Sequence, residues 1–415
     1  MMLCRLRRSC QRKSRQGSVT PFLLVALTLF LAAFALAFNL SAMREAKVEL
    51  RTVADSSALA VAAELAHDDF LKQDPHLVPP ILQQAAMTAR AVANFNTYRG
   101  RPFSLDITSV NSPSSQLFFG HLTAPRGGMF TLIGPQDNGS PLYFQINAVR
   151  IVLDQTRESG NPFNLAFANI TGQPEADIRL RATAMLDRAV IGFRPVTSQP
   201  VPLAPLALLS DATGTNIRSW ENRVEQQNGP DQYQFNRMTH SFSSGPDQLH
   251  ELEVVLALEA SHLPTANVAL LNIGGVSTAE VNNQIRFGIT AQQLQAMGGQ
   301  IALDQQQQVQ VPGALLGPSN PSDAQAMHQA LTALQASGQA RAWPLFQTVS
   351  GGNVVVTGFV AARVTNVSAY SSDQPLQFTL QPAQLVTASA LTDLARQQQG
   401  TVRMNPYLSK VRIVE

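Results

Sequence analysis

The 415-residue sequence holds only two cysteines, Cys4 and Cys10, and both lie in its first ten residues. Everything that follows is thiol-free, which excludes disulfides, zinc–thiolate centres and iron–sulfur clusters from the body of the chain. Histidine is equally unhelpful to metal chemistry. The seven residues, His67, His76, His121, His240, His250, His262 and His328, are scattered with no i, i+4 pair. No Gly-x-Ser-x-Gly elbow, Walker phosphate loop or His-Glu-x-x-His pair occurs, so hydrolytic and nucleotide chemistry lack their usual residues. Positive charge is also missing where it would matter. Six cations in the leader (Arg5, Arg7, Arg8, Arg12, Lys13, Arg15) exceed the net charge of +2, so the remainder carries −4 and is no nucleic-acid binder.

Charge of either sign vanishes from Gly17 to Met43. As a helix, the 26 residues from Ser18 to Met43 span about 39 Å, more than a hydrocarbon core of about 30 Å. A helix also satisfies its own backbone groups in lipid. Pro21 falls in the first turn, where a missing N–H costs nothing, and Leu27, Phe30 and Phe34 supply apolar anchor surface. The leader's cations outweigh the mixed charges Arg44, Glu45, Lys47, Glu49 and Arg51 behind the span, which predicts a cytoplasmic N-terminus. A cleaved secretory signal is the alternative, since Ala33-Phe34-Ala35 and Ala35-Leu36-Ala37 have the small-x-small form. The apolar run overshoots a signal's length, which favours a retained single-pass anchor.

Helical spacing continues past the span, with Leu50, Ala54, Ala58, Val61 and Leu65 on one stripe. The pattern predicts a helical stalk over 44–98, ending first near His67-Asp68-Asp69, broken by Pro75, Pro79 and Pro80, and resuming over Ile81–Asn94. Asp68 and Asp69 read as a solvated helix end. From Phe103 the texture turns to period-two alternation, with strands over Leu142–Leu153, Phe130–Ile133, Ile178–Asp187 and Val190–Phe193. A first β-rich domain over 99–195 is followed by a Pro-rich linker over 196–206 (Pro200, Pro202, Pro205), then a second β-rich region over 207–415. The predicted class is α+β, with mainly antiparallel extracytoplasmic sheets and a few short helices.

In the second region Leu252–Leu256 and Asn353–Val364 read as strands, with Val354, Val356, Val360 and Val364 on one face and Gly358 marking a bulge. Two short helices are punctuated by caps: Thr290 with Gln293 before Gly298-Gly299, and Ser322 with Gln325 before Gly338. The polar run Asp304–Gln310 reads as a surface loop or strand end. On a strand, His250 would face away from Glu251 and Glu253, so these do not converge. Asp211-Ala212-Thr213-Gly214-Thr215 has alternate oxygen donors but is better read as a turn than as a cation site. Trp343, inside Ala-Trp-Pro-Leu-Phe, reads as buried, and Trp220 as the more exposed of the two.

The segment Arg15–Ala66, with its basic residue, Gly17, membrane span and the run Leu50-Arg51-Thr52-Val53-Ala54-Asp55-Ser56-Ser57-Ala58-Leu59-Ala60, resembles the N-terminus of TadE/TadG-like proteins of the tight-adherence (Flp) pilus system. Asn147–Leu153, Arg181–Asp187, Val190–Pro195, Ile285–Gly288, Trp343–Phe346 and Val356–Val360 are similar to segments of the TadG-like type. The resemblance implies a noncatalytic single-pass envelope protein acting in pilus assembly or surface attachment, with no cofactor or metal. Pilins of that system are processed after a Gly and carry Glu at the mature fifth position. Counted from Gly17 that position is Phe22, which argues against Gly17 as a processing site and against a major filament subunit.

The expected partners are the lipid bilayer and other pilus-assembly or envelope proteins. Ala33, Ala37, Ala54 and Ala58 are small enough for close packing with a second helix, including a second copy of this chain. The competing reading is a solute-binding or hydrolytic protein using a groove between the β-rich regions.

Overall fold

The computed structural model describes residues 19–112, 114–134, 137, 141–196, 199–275, 277–393 and 404–414. The basic leader, both cysteines and Gly17 lie outside the described residues. The architecture is α+β, as expected: one long apolar helix, then mostly antiparallel sheets with short helices between them.

The long helix, α1, runs without interruption over Val19–Glu64. At about 1.5 Å per residue its 46 residues measure roughly 69 Å. Leu, Ala and Phe sustain it, and Pro21 sits in its first turn as expected. A second helix, α2, covers Val78–Phe95. Pro79 and Pro80, read from the sequence as part of a break, instead occupy its first turn, where the fixed φ of proline suits a helix start. Its buried residues Val78, Ile81, Leu82, Ala85, Ala86, Ala89 and Ala93 recur at three- and four-residue spacing.

The chain forms two compact units. One contains α1 up to Leu50 together with Leu153–Leu180; the other contains Arg51–Val152 and everything from Arg181. In the first, Phe163–Asn164 and Glu175–Ala176 form a short antiparallel ladder beneath a loop that includes the one-turn helix Ala168–Thr171.

In the second unit five strands close on themselves. Asn353–Val367 pairs antiparallel with Val309–Ala314, which pairs with Val268–Leu271, which pairs with Leu206–Leu209. That last strand lies parallel to Arg341–Ser350, which returns antiparallel to Asn353–Val367. Closure leaves no free edge among the five. Asn353–Val367 is long enough to carry Leu376–Pro382 beyond the barrel, and Leu252–Leu256 pairs outside that. The register shifts opposite Gly358, between Leu345 and Thr348, so the bulge expected there is present. The core includes Trp343, Phe346, Val354, Val356, Phe359 and Val364. Helix Pro321–Ser337 covers Asn353–Val367, and helix Thr278–Phe287 lies on that helix.

Several expectations need correction. Leu142–Leu153 is not one strand: Pro141–Gln145 is a 3-10 turn and the strand is Ala148–Gln155. Alternation along Ile178–Asp187 holds only as far as Arg181; beyond it both faces are covered and every residue from Ala182 to Asp187 is buried. A strand ladder crosses the boundary expected at Pro195. Leu408–Val414 pairs with Ile178–Asp187, and Val190–Phe193 pairs with Ile301–Ala302 and Ala390–Thr392. The Pro-rich stretch is no free linker, since Val201 and Leu203 are buried and bridge to Ile289 and Ala342. Apolar residues placed between the prolines let the extended backbone thread the core. Helix Pro321–Ser337 is capped by Asn320, whose Oδ1 accepts from the Ser322 amide at 3.0 Å, rather than by Ser322 itself. Trp220 is fully buried, edge-on to Tyr407 at 5.4 Å.

Candidate membrane anchor

Among the described residues, α1 alone is long and apolar enough to cross a membrane, with mean hydropathy 2.5 over its most apolar window. Its N-terminal half is laid open. Phe22, Leu27, Phe30 and Phe34 are all exposed, which is costly in water and favourable in lipid. The buried positions form a single stripe that begins at Ala35 and Asn39 and continues through Ala46, Leu50, Val53, Ala54, Ala58, Val61, Ala62 and Leu65. Apart from the adjacent pairs Val53-Ala54 and Val61-Ala62, which widen the stripe, steps of three, four and seven residues keep these on one face.

This stripe sorts the predicted residues. Pro21, Leu27, Phe30, Phe34, Ala33 and Ala37 are exposed; Ala54 and Ala58 are fully buried. Ala54 and Ala58 are therefore covered within this chain and are not open to a second one. Ala33 and Ala37 remain accessible. If they mediate helix pairing, A33L/A37L is expected to lower the yield of crosslinked dimer severalfold, whereas an unchanged yield removes close packing at these positions.

Behind the span, polar ties hold the segment that follows α1. Ser56 Oγ accepts from Asn96 Nδ2 at 3.0 Å, fixing the end of α2. Asp68 opens a 3-10 turn, Asp68–Lys72, and is not solvated as expected. Its Oδ2 lies 2.5 Å from Arg363 Nη1, and its Oδ1 accepts from the Gln384 amide at 2.6 Å. The Arg363 guanidinium stacks 4.0 Å from the Phe235 ring centre and its Nε donates to Gly338 O. Asp69 binds Lys72 Nζ at 2.9 Å, and the same ammonium lies 3.5 Å from Asp247. These contacts with Asp69 and Asp247 raise the Lys72 pKa despite its burial.

Glu251 is a second node that sequence reasoning missed. It lies just before strand Leu252–Leu256, is fully buried, and accepts the Gln232 and Tyr233 amides at 3.0 and 2.8 Å. Burial pushes its pKa from 4.5 to about 7, against those hydrogen bonds and with help from nearby Asp231 and Asp247. Glu253 is exposed and His250 bonds Gly229 O, so the three residues do not converge.

A cleft of about 490 Å³ runs beside Val190, Ser210, Glu221, the Gln305–Gln308 run and Tyr407. Both Glu221 oxygens are engaged, by the Ser210 hydroxyl at 2.5 Å and the Asp211 amide at 2.8 Å. No His, Lys or Arg lines it among the described residues. The Asp211–Thr215 string is a turn: Asp211 accepts from Thr213, Thr215 and Asn216, and these bonds hold its carboxyl well below the usual range. Among the described residues, no three His, Cys, Asp or Glu side chains gather in a way that could hold a metal ion.

Comparison of the chain with curated proteins and with solved structures finds no match. The segments from Asn147 onward that resemble TadG-like proteins lie outside residues 17–64. Residues 17–64, ending on the last residue of α1, match the family model described as putative Flp pilus-assembly TadE/G-like.

Proposed function

We propose that this chain is a noncatalytic, TadG-like single-pass protein of the bacterial inner membrane, acting in Flp-type pilus assembly or surface attachment through protein contacts. The observation that carries this reading is the coincidence of the matched segment 17–64 with a helix whose apolar half is exposed and whose other half is sealed along one face. The first half suits lipid, and the sealed face beyond Leu50 suits packing within the folded unit that begins at Arg51. The leader's six cations support a cytoplasmic N-terminus. A cleft that no described His, Lys or Arg lines, and in which both Glu221 oxygens are engaged, supports contact over catalysis.

Alkaline phosphatase fused after Phe95 is expected to be active and β-galactosidase at the same point silent, with the protein released from membranes only by detergent. Deleting the gene is expected to abolish surface pili or adherence. The opposite fusion pattern overturns the orientation, and unchanged piliation and adherence overturn the role.

A further inference from the structure

The first compact unit contains an uncharged loop seated on the span itself. Residues 165–174 (LAFANITGQP) include no charged side chain. The loop stands on the Phe163–Asn164 and Glu175–Ala176 ladder, with Leu165 N donating to Pro174 O at 2.9 Å. Its base, in contrast, is crowded with charge. Arg157 pairs with Glu175 at 3.1 Å and donates its amide to Asp177, and Arg179 pairs with Glu158. The tip meets α1 at three points. Phe167 packs edge-on against Phe38 at 5.4 Å and against Phe34 at 6.3 Å, and Ala166 N donates to Asn39 Oδ1 at 3.1 Å. Asn39 is buried and its Nδ2 has no partner among the described residues.

Those contact positions fall inside the uncharged span. If the core of about 30 Å is centred on residues 18–43, Phe34 lies roughly 5 Å and Asn39 roughly 13 Å from its midplane. Both depths are within the hydrocarbon of the leaflet farther from the leader. The loop that touches them must share that depth, which its lack of charge and the apolar side chains of Leu165, Phe167 and half-exposed Ile170 favour. The charged base then falls where headgroups and water begin.

We propose that loop 165–174 is a lipid-embedded element, dipping into the outer leaflet and latched to the transmembrane helix by Asn39. Its occupant is the acyl-chain and glycerol region of that leaflet. An unpaired Asn is costly in lipid, and the Ala166 amide reduces that cost while fixing the loop's depth. This rests on the anchoring reading above.

The test uses full-length protein with Cys4 and Cys10 replaced by Ser, reconstituted in phosphatidylcholine and phosphatidylglycerol vesicles. Nitroxides are placed singly by Ile170→Cys, by Leu27→Cys as the lipid reference and by Met238→Cys, at a highly exposed position, as the aqueous reference. Collision rates with oxygen and with a water-soluble nickel chelate are compared. The label at position 170 is expected to show a severalfold higher oxygen-to-nickel ratio than that at 238, approaching that at 27. Adding Asn39→Leu is expected to lower the ratio at 170, and an unchanged ratio overturns the latch. If position 170 matches 238 while 27 reads lipid, the loop proposal falls alone. If 27 also reads aqueous, the anchoring reading falls. Protection at 170 from both reagents means protein covers it, which also overturns the proposal.

Discussion

Raising the pH from 4.5 through 7 is expected to remove about 3 kcal/mol of stability at Glu251, and Glu251→Gln is expected to flatten most of that loss. The folded protein keeps this carboxyl protonated up to about pH 7 because burial penalises the anion, whereas the unfolded chain releases the proton near 4.5. Between those values the native state binds more protons than the unfolded one, so stability falls as pH rises. The contribution is fully present below 4.5 and lost through 7. Gln at this position mimics the neutral acid and can still accept the Gln232 and Tyr233 amides. Other groups titrate nearby. Burial also raises Asp247, in the same sense, while burial lowers His67, whose effect runs oppositely below its ordinary 6.5. Comparing wild type with the variant isolates Glu251 from both. Urea unfolding in detergent, followed by fluorescence of the buried Trp220 and Trp343, supplies the stabilities, and identical pH slopes for the two proteins would sink the assignment.

Glu251 also illustrates where sequence legibility ends. Patterns that depend on near neighbours were readable: the stripe Leu50, Ala54, Ala58, Val61 and Leu65 is buried in full, and Thr290 with Gln293 forms the expected capping box. The strand beginning at Asn353 and its bulge near Gly358 were readable for the same reason. One local signal went unread, the Ser277 and Glu280 box that opens helix Thr278–Phe287. What could not be read depends on partners far away in the chain. Nothing near Asp187 announces that residues 410–414 will pair beside it, and closure of five strands has no period of its own. Trp220, edge-on to Tyr407, and Val201, bridged to Ile289, are likewise buried against residues far along the chain. The site behaved alike. The apolar span and its alanines were legible, but the Asn39 contact with Ala166 joins residues 127 apart, and only the fold brings them together.

A wider such separation with a large expected consequence is Asp68 to Arg363, 295 residues. Arg363→Met is expected to cost about 3 kcal/mol, near the lower end for breaking a mostly buried pair because both side chains retain a little solvent contact. The loss has two parts. Among the described residues Asp68 keeps only the Gln384 amide as donor for a carboxylate largely removed from water, and Phe235 loses the guanidinium stacked on it. The first part is separable, because Asp68→Asn removes the stranded charge. The double variant D68N/R363M is therefore expected to be no less stable than R363M alone, a non-additivity that simple loss of packing at two independent sites would not produce. Local opening gives an independent readout, since releasing the 68–72 turn exposes Lys72, now tied to Asp69 and Asp247, and trypsin should cut there faster in R363M than in wild type. Additive losses in the cycle, with unchanged cleavage at Lys72, would show that the turn is held by the packing of Phe70 and not by the ion pair.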